Sequence, residues 1–96
     1  MTRYLSLISF TDQGITNVEK SVQRADSFCE AVKAAGGQVI KQYWAIGEYD
    51  GAVIFEAPDD TTAAALLLKL GHDGNVRTKT LQVYEQAEFE SIAKSL

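Results

Sequence analysis

The chain has 96 residues, 46% of them hydrophobic, with nine basic against thirteen acidic side chains and a net charge of -4. That length holds one domain, residues 1–96, and the hydrophobic share excludes a disordered chain. The acidic balance opposes docking on a phosphate backbone or an anionic membrane, so neither nucleic acid nor membrane is expected as a partner.

No run approaches the roughly 18 apolar residues of a membrane span, and the first residues do not read as a secretory signal. A cytoplasmic protein is the expectation. The single cysteine, Cys29, excludes an internal disulfide.

Tyr4 to Phe10 (YLSLISF) reads as a strand. Leu5, Leu7 and Ser9 alternate with Tyr4, Ser6, Ile8 and Phe10, and neither face is cleanly polar, as in a strand covered on both sides. Thr11 to Gly14 reads as a polar loop. A helix follows from about Val18 to Ala35, with Asn17 as its N-cap. Val18, Val22, Ala25, Phe28, Cys29 and Val32 draw one apolar stripe, so Cys29 reads as a packing residue rather than a reactive thiol. Gly36-Gly37 stops the helix.

The centre of the chain is a β-hairpin. Strands over Gln38–Ile46 and Ala52–Ala57 flank the turn Gly47-Glu48-Tyr49-Asp50-Gly51, whose end glycines suit positive φ. In the first of these strands Val39, Lys41, Tyr43 and Ala45 alternate with Ile40, Gln42, Trp44 and Ile46. Pro58 closes the second. Asp59 or Asp60 caps a helix from Thr61 to about Leu70, and His72–Asn75 is a turn. A fourth strand covers Val76–Tyr84. A short terminal helix over Gln86–Ser95 turns Phe89, Ile92, Ala93 and Leu96 to one side.

The order β-α-β-β-α-β predicts an α+β, ferredoxin-like fold: a four-stranded antiparallel sheet in the order 4-1-3-2, with two helices on one face. The other face keeps bulky apolar groups and no helix to cover them. A second copy of the chain is the simplest cover, so a homodimer through that face is expected.

Four segments carry a family resemblance: Thr11-Asp12-Gln13-Gly14-Ile15, Gly47-Glu48-Tyr49-Asp50, Ala57-Pro58-Asp59-Asp60 and Gly74-Asn75-Val76-Arg77-Thr78. Together, over about Tyr4 to Val83, they resemble the GYD-domain family of small bacterial proteins, named for the turn formed here by Gly47, Tyr49 and Asp50. The resemblance implies the dimeric α/β-barrel group, in which two ferredoxin-like sheets pack face to face. That group includes cofactor-independent oxygenases, haem enzymes, lactone isomerases and small-ligand sensors, so it transfers a scaffold and no residue roles.

The polar residues that could serve a ligand are Asp12, Gln13, Tyr49, Asp50, Asn75, Arg77 and Thr78. In one reading Arg77 binds a carboxylate or enolate while Tyr49 or Asp50 moves a proton. In the other, Asp50 and Asn75 fix turns, Tyr49 and Arg77 anchor loops, and Gly14, Gly47, Gly51, Pro58 and Gly74 serve the backbone. His72 is the sole histidine, and one histidine with one cysteine makes neither a metal site nor a clear haem site, so no cofactor is implied. Two functions stay open. One is a homo-oligomeric small-molecule-binding or structural module; the other is a cofactor-independent enzyme of oxygenase or isomerase type, acting on a small anionic or aromatic metabolite. A void between sheet and helices, with Arg77 and Tyr49 pointing into it, would favour a ligand.

Overall fold

Strand β1 (Thr2–Phe10) is the axis of the sheet. It pairs antiparallel with β3 (Gly51–Ala57) on one side and β4 (Val76–Gln82) on the other, and β2 (Gln38–Trp44) adds outside β3. The order β2-β3-β1-β4 is the ferredoxin-like one. The structure is a computed structural model and describes residues 1–96. Its sheet is open, with β2 and β4 as free edges. The expected α/β-barrel is therefore corrected: β2 and β4 do not pair with each other, so the four strands form an open sheet and not a closed barrel.

Helices α2 (Ser21–Ala34) and α3 (Asp60–His72) supply the cover of one sheet face. Tyr4, Ser6, Val53, Phe55 and Ala57 point toward them and are buried, against Phe28 and Val32 of α2 and Ala63 of α3. Phe55 sits at the centre, stacked on Tyr4 at 5.4 Å and edge-on to Phe28 at 5.5 Å between ring centroids. Truncating such a ring costs about 3–5 kcal/mol. The one buried polar side chain in this layer, Ser6, shares a 2.8 Å hydrogen bond with Thr80 across the β1–β4 ladder. The Tyr4 hydroxyl donates to Asp60 at the start of α3, which ties the first strand to the second long helix.

Three local expectations change. The polar stretch after β1 is helical: Thr11 accepts a bond from the Gly14 amide at 3.1 Å and starts a short helix, α1 (Asp12–Thr16). Asn17 makes no side-chain cap and donates back to the Gln13 carbonyl instead. A 3-10 turn over Val18–Lys20 then precedes α2, and this break in the 3.6-residue period leaves Val18 and Val22 exposed.

Strand β2 carries a bulge at Ile40: Val39 faces Phe55, but Lys41 faces Ile54. The extra residue resets the alternation, so Val39, Gln42 and Trp44 share the helix side while Lys41 and Tyr43 share the open side. The hairpin glycines also differ. Gly47 has φ 146°, but Gly51 has no positive φ; it is the first residue of β3, and a Cβ there would lie 2.7 Å from the Tyr43 carbonyl oxygen.

Asp59 is the α3 cap, accepting from the Thr62 amide at 2.8 Å, and Pro58 lies between it and β3. The helix runs through Gly71 to His72, and β4 ends at Gln82. The terminal helix, α4 (Gln86–Lys94), does not fold over the open sheet face: Phe89 and Leu96 are exposed, as is Leu81 on the sheet. It is tethered at its first turn, where Arg3 reaches Glu88 at 2.6 Å and Glu85 at 3.4 Å while also pairing with Glu56 at 3.0 Å. No helix is long and apolar enough to cross a membrane.

Candidate ligand cleft

The helices leave room at the end of the sheet where β1 finishes and β3 begins. Several residues of α2 that line this end are small (Ser21, Ala25, Ser27, Ala31), which leaves space between helix and strands. The result is a mostly apolar cleft of about 480 Å³. Ile8, Phe10 and Val53 form its floor, Phe28 and Trp44 one wall, and Leu66 and Leu70 of α3 the other. That volume lies within the range of small-molecule sites.

Most of the polar groups at its margins are held in place. Trp44 Nε1 donates to Ser21 Oγ at 3.2 Å, and Gln42 Nε2 donates to the Ala25 carbonyl at 3.4 Å. Asp50 accepts from the Phe10 amide through Oδ2 at 2.7 Å. Lys69 pairs with Asp73 at 2.7 Å at the rim. The guanidinium of Arg24 is fixed on two backbone carbonyls, Asn17 at 3.0 Å and Gly14 at 3.3 Å. Beside it lies a second hollow of about 360 Å³, lined only by polar residues: Asn17, Lys20, Gln23, Arg24, Ser27 and Asn75. Arg24, Ser27 and Asn75 line both spaces.

The residues singled out from the sequence scatter to five places. Asp50 and Asn75 line the cleft. Asp12 opens α1 with its carbonyl bonded to Thr16, and Gln13 bridges to Asn75 Oδ1 at 3.0 Å and the Asp73 carbonyl at 3.2 Å. Gly14 and Gly74 belong to the same corner, where Thr11 donates to the Gly74 carbonyl at 2.6 Å and Gly74 has φ 87°. Arg77 lies outside the cleft and donates to the Gly71 carbonyl at 3.0 Å, closing the end of α3. Tyr49 is also outside, with the Lys79 ammonium 5.9 Å from its ring centroid. Thr78 faces Ile8 in the β1–β4 ladder.

The ionisable groups with displaced pKa values lie elsewhere. Burial, with Asp26 and Glu30 nearby, pushes the Cys29 thiol up, away from thiolate character. Burial and the Asp60 bond raise Tyr4. No group of three His, Cys, Asp or Glu side chains could hold a metal ion. The residues that shape the cleft, Arg24, Gln42 and Trp44, escaped sequence reading. Arg24 falls off the counted apolar stripe, and the bulge that aims Gln42 and Trp44 inward leaves no mark on the alternation. The spacing Ser21, Arg24, Phe28, Ala31 was the available signal, a helix face mixing small residues with one cation.

The GYD domain family matches residues 4–93. Over 90 residues the chain is 30% identical to a Thermus thermophilus protein named glutamine synthetase and cystathionine beta-lyase binding protein, covering 93% of this chain and 95% of that one. The crystal structure of TTHA0845, also from Thermus thermophilus, is similar with a TM-score of 0.56 at 21% identity, covering 88% of this chain and 95% of that chain. That second likeness is one of fold.

Proposed function

Because the chain belongs to the GYD-domain family, we propose that it is a small-molecule-binding module, working in the cytoplasm as a homodimer, with its ligand between α2, α3 and the sheet. The observation that carries this reading is the cleft itself: about 480 Å³, walled by Phe28, Trp44 and Leu70, with a few fixed polar groups at its margins. The enzyme alternative has less support. Of the groups it would use, Arg77 and Tyr49 lie outside the cleft in structural contacts, and Asp50, which lines it, has one carboxylate oxygen taken by the Phe10 amide.

Trp44 is the only tryptophan and lines the cleft, so its emission reports occupancy. Titration with 3-phenylpropanamide, a neutral aromatic probe, is expected to give a saturable change, lost in Ala25→Leu, which fills the cleft. A linear, unsaturable response of the native protein both to this probe and to its acid, 3-phenylpropanoate, would defeat the reading.

A second reading, a protein-docking module, is favoured by one observation: Tyr43 and Leu81 are exposed on the helix-free sheet face. The name of the Thermus thermophilus relative describes a protein that binds two enzymes. A partner protein could use the same face as a second copy, and the two would compete for it.

A further inference from the structure

The cleft has two chemically distinct ends that meet at one side chain. Its body is apolar, from Ile8, Phe28, Trp44 and Leu70. Its annex carries two cations, Lys20 and Arg24, three amides, one hydroxyl and no acid. In a chain of net charge -4, a hollow with two positive groups and no negative one departs from the general field. The annex opens where Arg24, Ser27 and Asn75 are shared, so one molecule can occupy both parts.

Arg24 is built for this position. Two of its five N–H groups are spent on the Asn17 and Gly14 carbonyls, which fix the plane of the guanidinium. No carboxylate pairs with it: the ion pairs of the chain are those of Arg3, Lys69 and Lys94. The remaining N–H groups of a pre-positioned guanidinium suit a carboxylate, which accepts two parallel bonds from it. Across the cleft, Asp73 is already neutralised by Lys69, and Asp50 is held by the Phe10 amide, so an anion entering beside Arg24 meets one acid that is paired and one that is tied down.

We infer that the ligand is an amphipathic carboxylate, its acid group on Arg24 and Lys20 and its aromatic or branched apolar body against Phe28 and Trp44. This rests on the small-molecule reading above and adds the chemical class. It also moves the anion-binding role from Arg77, which closes α3, to Arg24.

The test compares two probes of one shape, 3-phenylpropanoate and 3-phenylpropanamide, by titration of Trp44 emission in the full chain. The carboxylate is expected to bind at least tenfold more tightly than the amide. Arg24→Gln should abolish that preference, so that the two probes then bind within about twofold of each other. Lys20→Gln, at an exposed position with no role in the fold, should reduce the preference several-fold, which keeps the test valid if loss of the Asn17 and Gly14 bonds unfolds Arg24→Gln. Equal binding of the two probes to the native protein would overturn the carboxylate assignment and leave the cleft as a neutral site. Saturable binding of neither would overturn the cleft reading and this inference with it. A preference that survives in Lys20→Gln and in a folded Arg24→Gln would place the anion elsewhere and defeat the assignment.

Discussion

The α-carbon of Gly14 packs directly on the main-chain carbonyl of Asn75: a Cβ built on Gly14 would overlap that oxygen. The same oxygen accepts the Thr11 amide at 3.1 Å, so the start of α1 and the start of β4 are joined with no space for a side chain. In a helix, alanine for glycine normally gains about 0.5–1 kcal/mol. Here the overlap with backbone outweighs that gain. Gly14→Ala is expected to lose more than about 2 kcal/mol, lowering the melting temperature by roughly 10 °C or more. Gly47→Ala, at φ 146° with open space around it, should cost only about 1–2 kcal/mol of backbone strain. Calorimetry on the two variants checks the order.

Asp50 clamps the hairpin to the central strand. Its Oδ2 takes the Phe10 amide, 40 residues away in sequence, and its own amide donates to the Ile8 carbonyl at 2.8 Å, so both partners lie on β1 rather than within its turn. Asp50→Asn keeps an acceptor and should cost about 1 kcal/mol, whereas Asp50→Leu leaves the Phe10 amide unpaired and should cost about 2–3 kcal/mol. Equal melting temperatures for the two variants would remove the clamp.

Acid should release α4. The Glu85 amide and then Arg3 hold the Glu88 carboxyl below the usual range, and Gln38 and then Arg3 do the same for Glu56. A carboxyl whose pKa is lowered on folding adds stability that is complete above its unfolded value, about 4.3, and is lost as pH falls through the folded value. Amide protection at Phe89 and Ile92 is therefore expected to decline from about pH 5 downward. Arg3→Gln should lower protection at neutral pH and flatten this dependence. Asp59, whose pKa the Thr62 amide lowers, weakens in the same range but reports on α3, so exchange read residue by residue separates the two.

Tyr43, on the open face and 57% exposed, is the residue to change for oligomeric state. Native protein should sediment at twice the 10.5 kDa of one chain, and Tyr43→Asp as a single chain. A charge buried unpaired in a sheet-to-sheet contact costs several kcal/mol, enough to dissociate a dimer of modest affinity. A native protein at 10.5 kDa when dilute would end the proposal.

Element order and the hairpin were legible in the sequence because each follows from local chemistry: runs of β-formers, Pro58 after β3, Asp59 before an alanine-rich helix. The two-sided character of Tyr4–Phe10 correctly marked a central strand. Closure of the sheet was not legible, since it depends on strand count and edges rather than on any one strand's pattern. Neither was the site. Arg24 carries no mark in the sequence because its partners, the Asn17 and Gly14 carbonyls, are main-chain atoms. Arg77 looked like a ligand group for the converse reason: its position in a family motif is spent on ending a helix.

The bulge at Ile40 makes the cleft editable in one step. Side chains downstream of it are in register with the helix layer only because one extra residue shifts their phase. If Ile40 instead paired with Ile54 in a regular ladder, Lys41–Trp44 would each slip by one position along β3. Trp44 would go to the open face and Tyr43 to the cleft wall, exchanging an indole for a phenol while the helices and the strand order stay as they are. A change of ligand preference and a change in the association surface would then arrive together, coupled by geometry, with no substitution at either place.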